Sequence, residues 1–124
     1  MKDFSSFTIP VEQAKEWTAN WRKANPELSK AFLIPVEDLL GCLSEMGVIQ
    51  TDAKGNTTIN VQEGEMVRTY RGIDNDGTEN LMMVGTKKEG DVYADIINEG
   101  DGNSGVYDFT SCCPPDCDPK SPLN

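Results

Sequence analysis

Apolar residues in the first quarter of the chain recur at helical spacing. Val11, Ala14, Trp17, Trp21 and Ala24 stand three or four positions apart, which gathers them on one helix face. Lys15, Glu16, Asn20 and Arg22 fall mostly on the other face. Thr8 is the expected N-cap, with Pro10 tolerated in the first turn. Asn25-Pro26 ends the helix, because the residue before proline avoids the α region. Two tryptophans on one face predict a helix packed on a core. Residues 31–34 (Ala-Phe-Leu-Ile) read as a short extended piece, and Pro35 opens a second helix over residues 36–46. Its apolar face is expected to be Val36, Leu39, Leu40, Leu43 and Met46. Glu37 and Asp38 lie in the first turn, where the helix dipole favours acids, and Gly47 is a natural terminator.

The pattern then changes period. Residues 48–65 carry a turn at Asp52-Ala53-Lys54-Gly55-Asn56 and a weak strand at 57–61. After them come strand-like runs at 66–73, 81–86, 92–97 and 105–109. Asp74-Asn75-Asp76-Gly77, Lys87-Lys88-Glu89-Gly90 and the loop 98–104 separate these runs, a spacing that predicts hairpins. Residues 81–86 are nearly all apolar and so read as the central strand. The expected fold is α+β: two N-terminal helices packed on a three- or four-stranded antiparallel meander. Residues 1–110 form one domain, and 111–124 form an extended Cys/Pro-rich tail packed on it. Phe109 and Leu123 are the expected anchors of that tail.

Composition narrows the function classes. The chain has 124 residues, 21 acids against 11 bases and a net charge of −10. That excess argues against direct nucleic-acid binding, which needs a basic stripe, and against anionic membranes. No run approaches the about 18 apolar residues of a membrane span, and no secretory leader stands at the N-terminus, so a cytoplasmic protein is expected. The chain has no histidine. Ser-His-Asp and Cys-His catalysis are therefore excluded, and any metal site must use thiolates and carboxylates. No phosphate-binding glycine loop and no nucleophile elbow is present.

The tail Cys112-Cys113-Pro114-Pro115-Asp116-Cys117-Asp118 holds three of the four cysteines. With Cys42 they form a candidate four-cysteine zinc site, although the paired CxxC units of a zinc knuckle are missing. A disulfide between Cys113 and Cys117, or between Cys112 and Cys117, is sterically feasible but disfavoured in a reducing cytosol. Simple burial as small hydrophobes is the plainest alternative. Asp74-Asn75-Asp76-Gly77 has the acids of a calcium loop, but its glycine comes too early, and a hairpin turn is the better reading. Arg68, Tyr70 and Arg71 are the densest cationic–aromatic cluster. On a strand, Arg68 and Tyr70 share one face and Arg71 takes the other.

The segments Ala31-Phe32-Leu33-Ile34-Pro35-Val36-Glu37-Asp38-Leu39 and Tyr107-Asp108-Phe109-Thr110, followed by Cys113-Pro114-Pro115-Asp116-Cys117-Asp118 and Ser121-Pro122-Leu123, resemble a set of short uncharacterised bacterial proteins. The resemblance implies a whole small protein and brings no activity and no functional residues with it.

The leading expectation is a non-enzymatic protein that binds a basic protein through acidic loops. Those loops carry Asp52; Glu63 and Glu65; Asp74, Asp76 and Glu79; Glu89 and Asp91; and Glu99 and Asp101. A thiol or metal protein centred on Cys112, Cys113, Cys117 and Cys42 is the alternative. A small carboxylate-dependent enzyme comes third.

Overall fold

The computed structural model describes residues 5–124 except Asp101 and Phe109. Among the described residues it is α+β, with two α-helices, a 3-10 turn at Ser5–Phe7 and eight short to medium strands, and every strand pairing for which a register is given is antiparallel. The backbone divides into two compact units, Met1–Phe32 with Cys112–Asn124, and Leu33–Ser111. The tail from Cys112 onwards is grouped with the first 32 residues.

In the first unit, α1 spans Val11–Ala24. Pro10 is its cap, not Thr8: the Pro10 carbonyl accepts the first helical bond from Ala14 N at 3.1 Å, and no side chain caps the start. Proline suits this place because its fixed φ leads into the first turn. Asn25 ends the helix as expected, with both its backbone and side-chain nitrogens donating to Trp21 O. The tryptophans are not core residues. No α1 residue is buried, Trp17 is 54% exposed, and Trp21 lies at the surface with its indole Nε1 donating to Ser29 O. An indole with a polar tip is satisfied at such a boundary. Strand β1 (Ala31–Leu33) pairs with β8 (Ser111–Cys113), and Lys30 N donates to Cys113 O at 2.8 Å. The end of the tail is fixed through its backbone: Arg22 Nη1 donates to Leu123 O at 2.7 Å, while the Leu123 side chain is exposed. Phe109, the other expected anchor, lies outside the described residues.

In the second unit, α2 (Val36–Glu45) packs on a sheet built around β5 (Glu79–Glu89). Strand β4 (Val67–Ile73) runs along one edge of β5. The other edge is shared: β6 (Val92–Asp95) pairs with residues 86–89 and β7 (Val106–Tyr107) with residues 83–84. The excursion between β6 and β7 is closed by Asn98 N donating to Ser104 O. Met83 and Val84 on β5 are buried, so the run read as central is central.

The helix packs on only part of the expected face: Leu43 and Met46 are half-buried. Val36, Leu39 and Leu40 are exposed, whereas Asp38 and Cys42 are almost wholly buried. The reason is close backbone approach. A Cβ on Gly85 would lie 2.7 Å from Met46 Cγ and 3.0 Å from Cys42 O, and a Cβ on Gly41 would lie 2.5 Å from the Tyr107 ring. Small residues thus mark the contact. After Glu45 the helix closes in a Schellman arrangement: Gly47 N donates to Ser44 O and Val48 N to Leu43 O.

Strands β2 (Ile49–Thr51) and β3 (Thr57–Ile59) form a hairpin; the first of these strands has no clear signal in the sequence. Its turn has the same construction as the β4–β5 turn. Asp52 Oδ1 accepts from Lys54 N and Asn56 N, and Asp74 Oδ1 accepts from Asp76 N and Thr78 N. Gly55 and Gly77 both sit at φ 84° to complete the reversal. The backbone N–H groups, Asn56 first, hold the Asp52 carboxyl below its usual range. The aspartates of both turns thus have a structural task.

A candidate cleft at the C-terminal end of α2

Strand register sorts the acidic loops. The β4–β5 turn carries Asp74 and Asp76 at one end of the sheet. Residues 62–65, ahead of β4, lie towards the opposite end, together with the β5–β6 turn and its Glu89 and Asp91. The acids of these loops are therefore split between two ends of the sheet. Glu79 is engaged within the sheet: it accepts from Arg71 Nη2 at 2.8 Å. Asp101 lies outside the described residues.

The second end contains a cleft of about 600 Å³. Four separate segments bring its walls together: the last turn of α2, residues 62–66, the second half of β5, and β6. Glu63 and Glu65 come from the loop, Glu45 from the helix, and Lys87, Lys88 and Tyr93 from the strands. Glu65 braces its own loop, with Oε2 accepting from Gln62 N at 2.8 Å. Thr86 Oγ1 donates to Met66 O and ties that loop to β5. Lys88 Nζ stands 5.5 Å from the centroid of the Tyr93 ring, a cation–π distance. Neither Lys87 nor Lys88 forms an ion pair with a carboxylate of the described residues. The negative end of the α2 dipole meets the same wall, reduced by the bonds that cap the Cys42, Leu43 and Ser44 carbonyls.

Glu45 also looks away from the cleft, towards the excursion loop. Its Oε1 accepts from Asn103 Nδ2 at 2.9 Å and from the Tyr107 hydroxyl at 3.2 Å. Burial, and then the Glu45 charge, push the Tyr107 phenol above its ordinary value. Burial, followed by Asp38 and Glu45, likewise raises the Cys42 thiol. Cys42 is thus a neutral packing group in contact with the sheet, not an activated nucleophile.

The cationic–aromatic cluster is resolved as an internal network. Arg68 and Tyr70 share a face as expected, and both meet Asp95: Arg68 Nη1 donates to Oδ1 and to Tyr93 O, and the Tyr70 hydroxyl donates to Oδ2. Arg68 stands opposite Val84 and Asp95 opposite Thr86, so the pair crosses over β5. The Tyr70 bond and then Arg68 hold the Asp95 carboxyl below its usual range. Arg68 Nη1 and the Tyr70 hydroxyl are thus both engaged with Asp95.

The cysteines are not four free thiolates. Cys113 and Cys117 are joined in a disulfide, Cys112 is free and half-buried, and Cys42 lies in the other unit. Among the described residues no group of three or more cysteines, aspartates and glutamates is placed to hold a metal ion. No helix among them is long and apolar enough to cross a membrane.

Comparisons with protein-family models, with curated proteins and with solved structures return no match. The cleft is legible only from geometry. Its acids were noted in the sequence, but nothing in their spacing joins residues 63 and 65 to Tyr93.

Proposed function

We propose that this protein is a non-enzymatic binding protein that receives a basic segment of a partner protein in the cleft at the C-terminal end of α2. The observation that carries the reading is the convergence of the α2 carbonyl end with Glu63 and Glu65 on an open cleft. Both favour a cation, and they act together on the same space. Met66, 52% exposed, and Tyr93 offer apolar surface for the stem of a lysine or arginine. Lys88 over Tyr93 is an ammonium of this chain already using that wall. Lys87 and Lys88 oppose a basic run by like charge without outweighing the loop wall, so a bound segment turns its cations towards Glu63 and Glu65.

The proposed setting is the cytoplasm, where reducing thiols act against the Cys113–Cys117 bond. Calorimetric titration with a hexa-arginine peptide tests the binding reading. Glu63→Lys with Glu65→Lys should weaken binding at least tenfold, about 1.4 kcal/mol. Lys87→Glu should strengthen it. Binding indifferent to all three substitutions would remove the cleft from consideration.

A further inference from the structure

We propose that Cys117 is a site of thiol–disulfide exchange that takes neutral or cationic small thiols in preference to anionic ones. The two sulfurs of the disulfide stand in unequal surroundings. Cys113 is 4% exposed and its carbonyl is held by Lys30 N in the β1–β8 pairing, whereas Cys117 is half-buried in the turn that follows. That turn is fixed by Asp116 N donating to Cys112 O and Cys117 N donating to Pro115 O. An incoming thiolate therefore reaches Cys117 and not its partner, and access decides which sulfur is attacked.

The chemistry needs no oxidant. The thiolate sulfur forms a bond to Cys117 Sγ as the Cys117–Cys113 bond breaks. The electron pair leaves with Cys113 Sγ, which takes a proton from water. One disulfide is consumed and one is formed. The buried Cys113 thiol stays beside the mixed disulfide and reverses the step when free thiol is withdrawn, which makes the modification reversible.

Charge supplies the selectivity. Asp116 and Asp118 flank Cys117 and both are exposed. Asp118 Oδ1 accepts from Lys120 N at 3.0 Å, which keeps its carboxylate on the turn. No ion pair with Lys120 neutralises either acid among the described residues. An anionic thiol approaches against two local charges, on a chain whose net charge is −10. A cationic thiol is drawn in. Such steering acts over a Debye length of about 8 Å at physiological salt.

The experiment uses the full chain carrying Cys112→Ser, under anaerobic conditions, with cysteamine, β-mercaptoethanol and glutathione at equal thiolate concentration. Intact mass and peptide mapping follow the adduct. The expected result is an adduct on Cys117, formed fastest with cysteamine and slowest with glutathione. The difference should be several-fold at low salt and should collapse at high salt. Asp116→Asn with Asp118→Asn should narrow it without abolishing exchange. An adduct on Cys113, an absence of adduct with all three thiols, or glutathione reacting as fast as cysteamine would each overturn the proposal.

Discussion

Gly41 on α2 lies directly against the ring of Tyr107 on β7, so close that a Cβ at position 41 would stand 2.5 Å from two ring carbons. The same tyrosine donates to Glu45 one turn further along the helix. One ring thus sets how near the helix approaches the sheet and ties its last turn to the cleft. Gly41→Ala tests this. Alanine is favoured over glycine in a helix by up to about 1 kcal/mol, whereas overpacking costs roughly 1–3 kcal/mol. The expected net result is a loss of about 1 kcal/mol in denaturant unfolding. In a Tyr107→Ala background the same substitution should cost nothing further. A stabilising Gly41→Ala would show that the contact does not limit the packing.

The Arg68–Asp95–Tyr70 network gives a pH dependence of defined sign. The folded carboxyl of Asp95 titrates below its ordinary value of 3.8. Its contribution is therefore complete above that value and disappears as the pH falls through the folded pKa. Asp95→Asn should lower stability at neutral pH and flatten the acid limb of the curve. Denaturation midpoints taken from about pH 6 down to about pH 3 measure this. An acid limb as steep as that of the parent would mean that another carboxylate controls it.

The order of strands and turns from β3 to β7 was legible because glycine, aspartate and asparagine punctuate it. Asp74 and Gly77 supply the bonds and the φ that a reversal needs, and they do so locally. The packing face of α2 was legible only in part. Leucines advertise a face, but Gly41 and Gly85 decided it by letting backbones approach, and small residues leave little trace in a hydrophobic pattern. The β1–β8 pairing joins residues some eighty positions apart with no local signal. The cleft had the same difficulty, since its walls come from four segments.

Removal of residues 111–124 should destabilise the N-terminal unit in a specific way. β1 loses its only partner in the two-stranded sheet, and the Lys30 amide loses the Cys113 carbonyl that holds it. A lower melting temperature and faster exchange of the Lys30 amide are expected. Unchanged melting with unchanged exchange at Lys30 would contradict the pairing.

The most direct measurement of the central claim is an NMR titration of the ¹⁵N-labelled protein with hexa-arginine, run at low and at physiological salt. Binding at the C-terminal end of α2 should shift the amides of Gly47, Glu63, Gly64, Glu65 and Tyr93 first. The affinity should fall steeply as salt rises, because exposed charges are screened. Shifts confined to the turn of Asp74 and Asp76, or an affinity indifferent to salt, would contradict a cation-binding cleft.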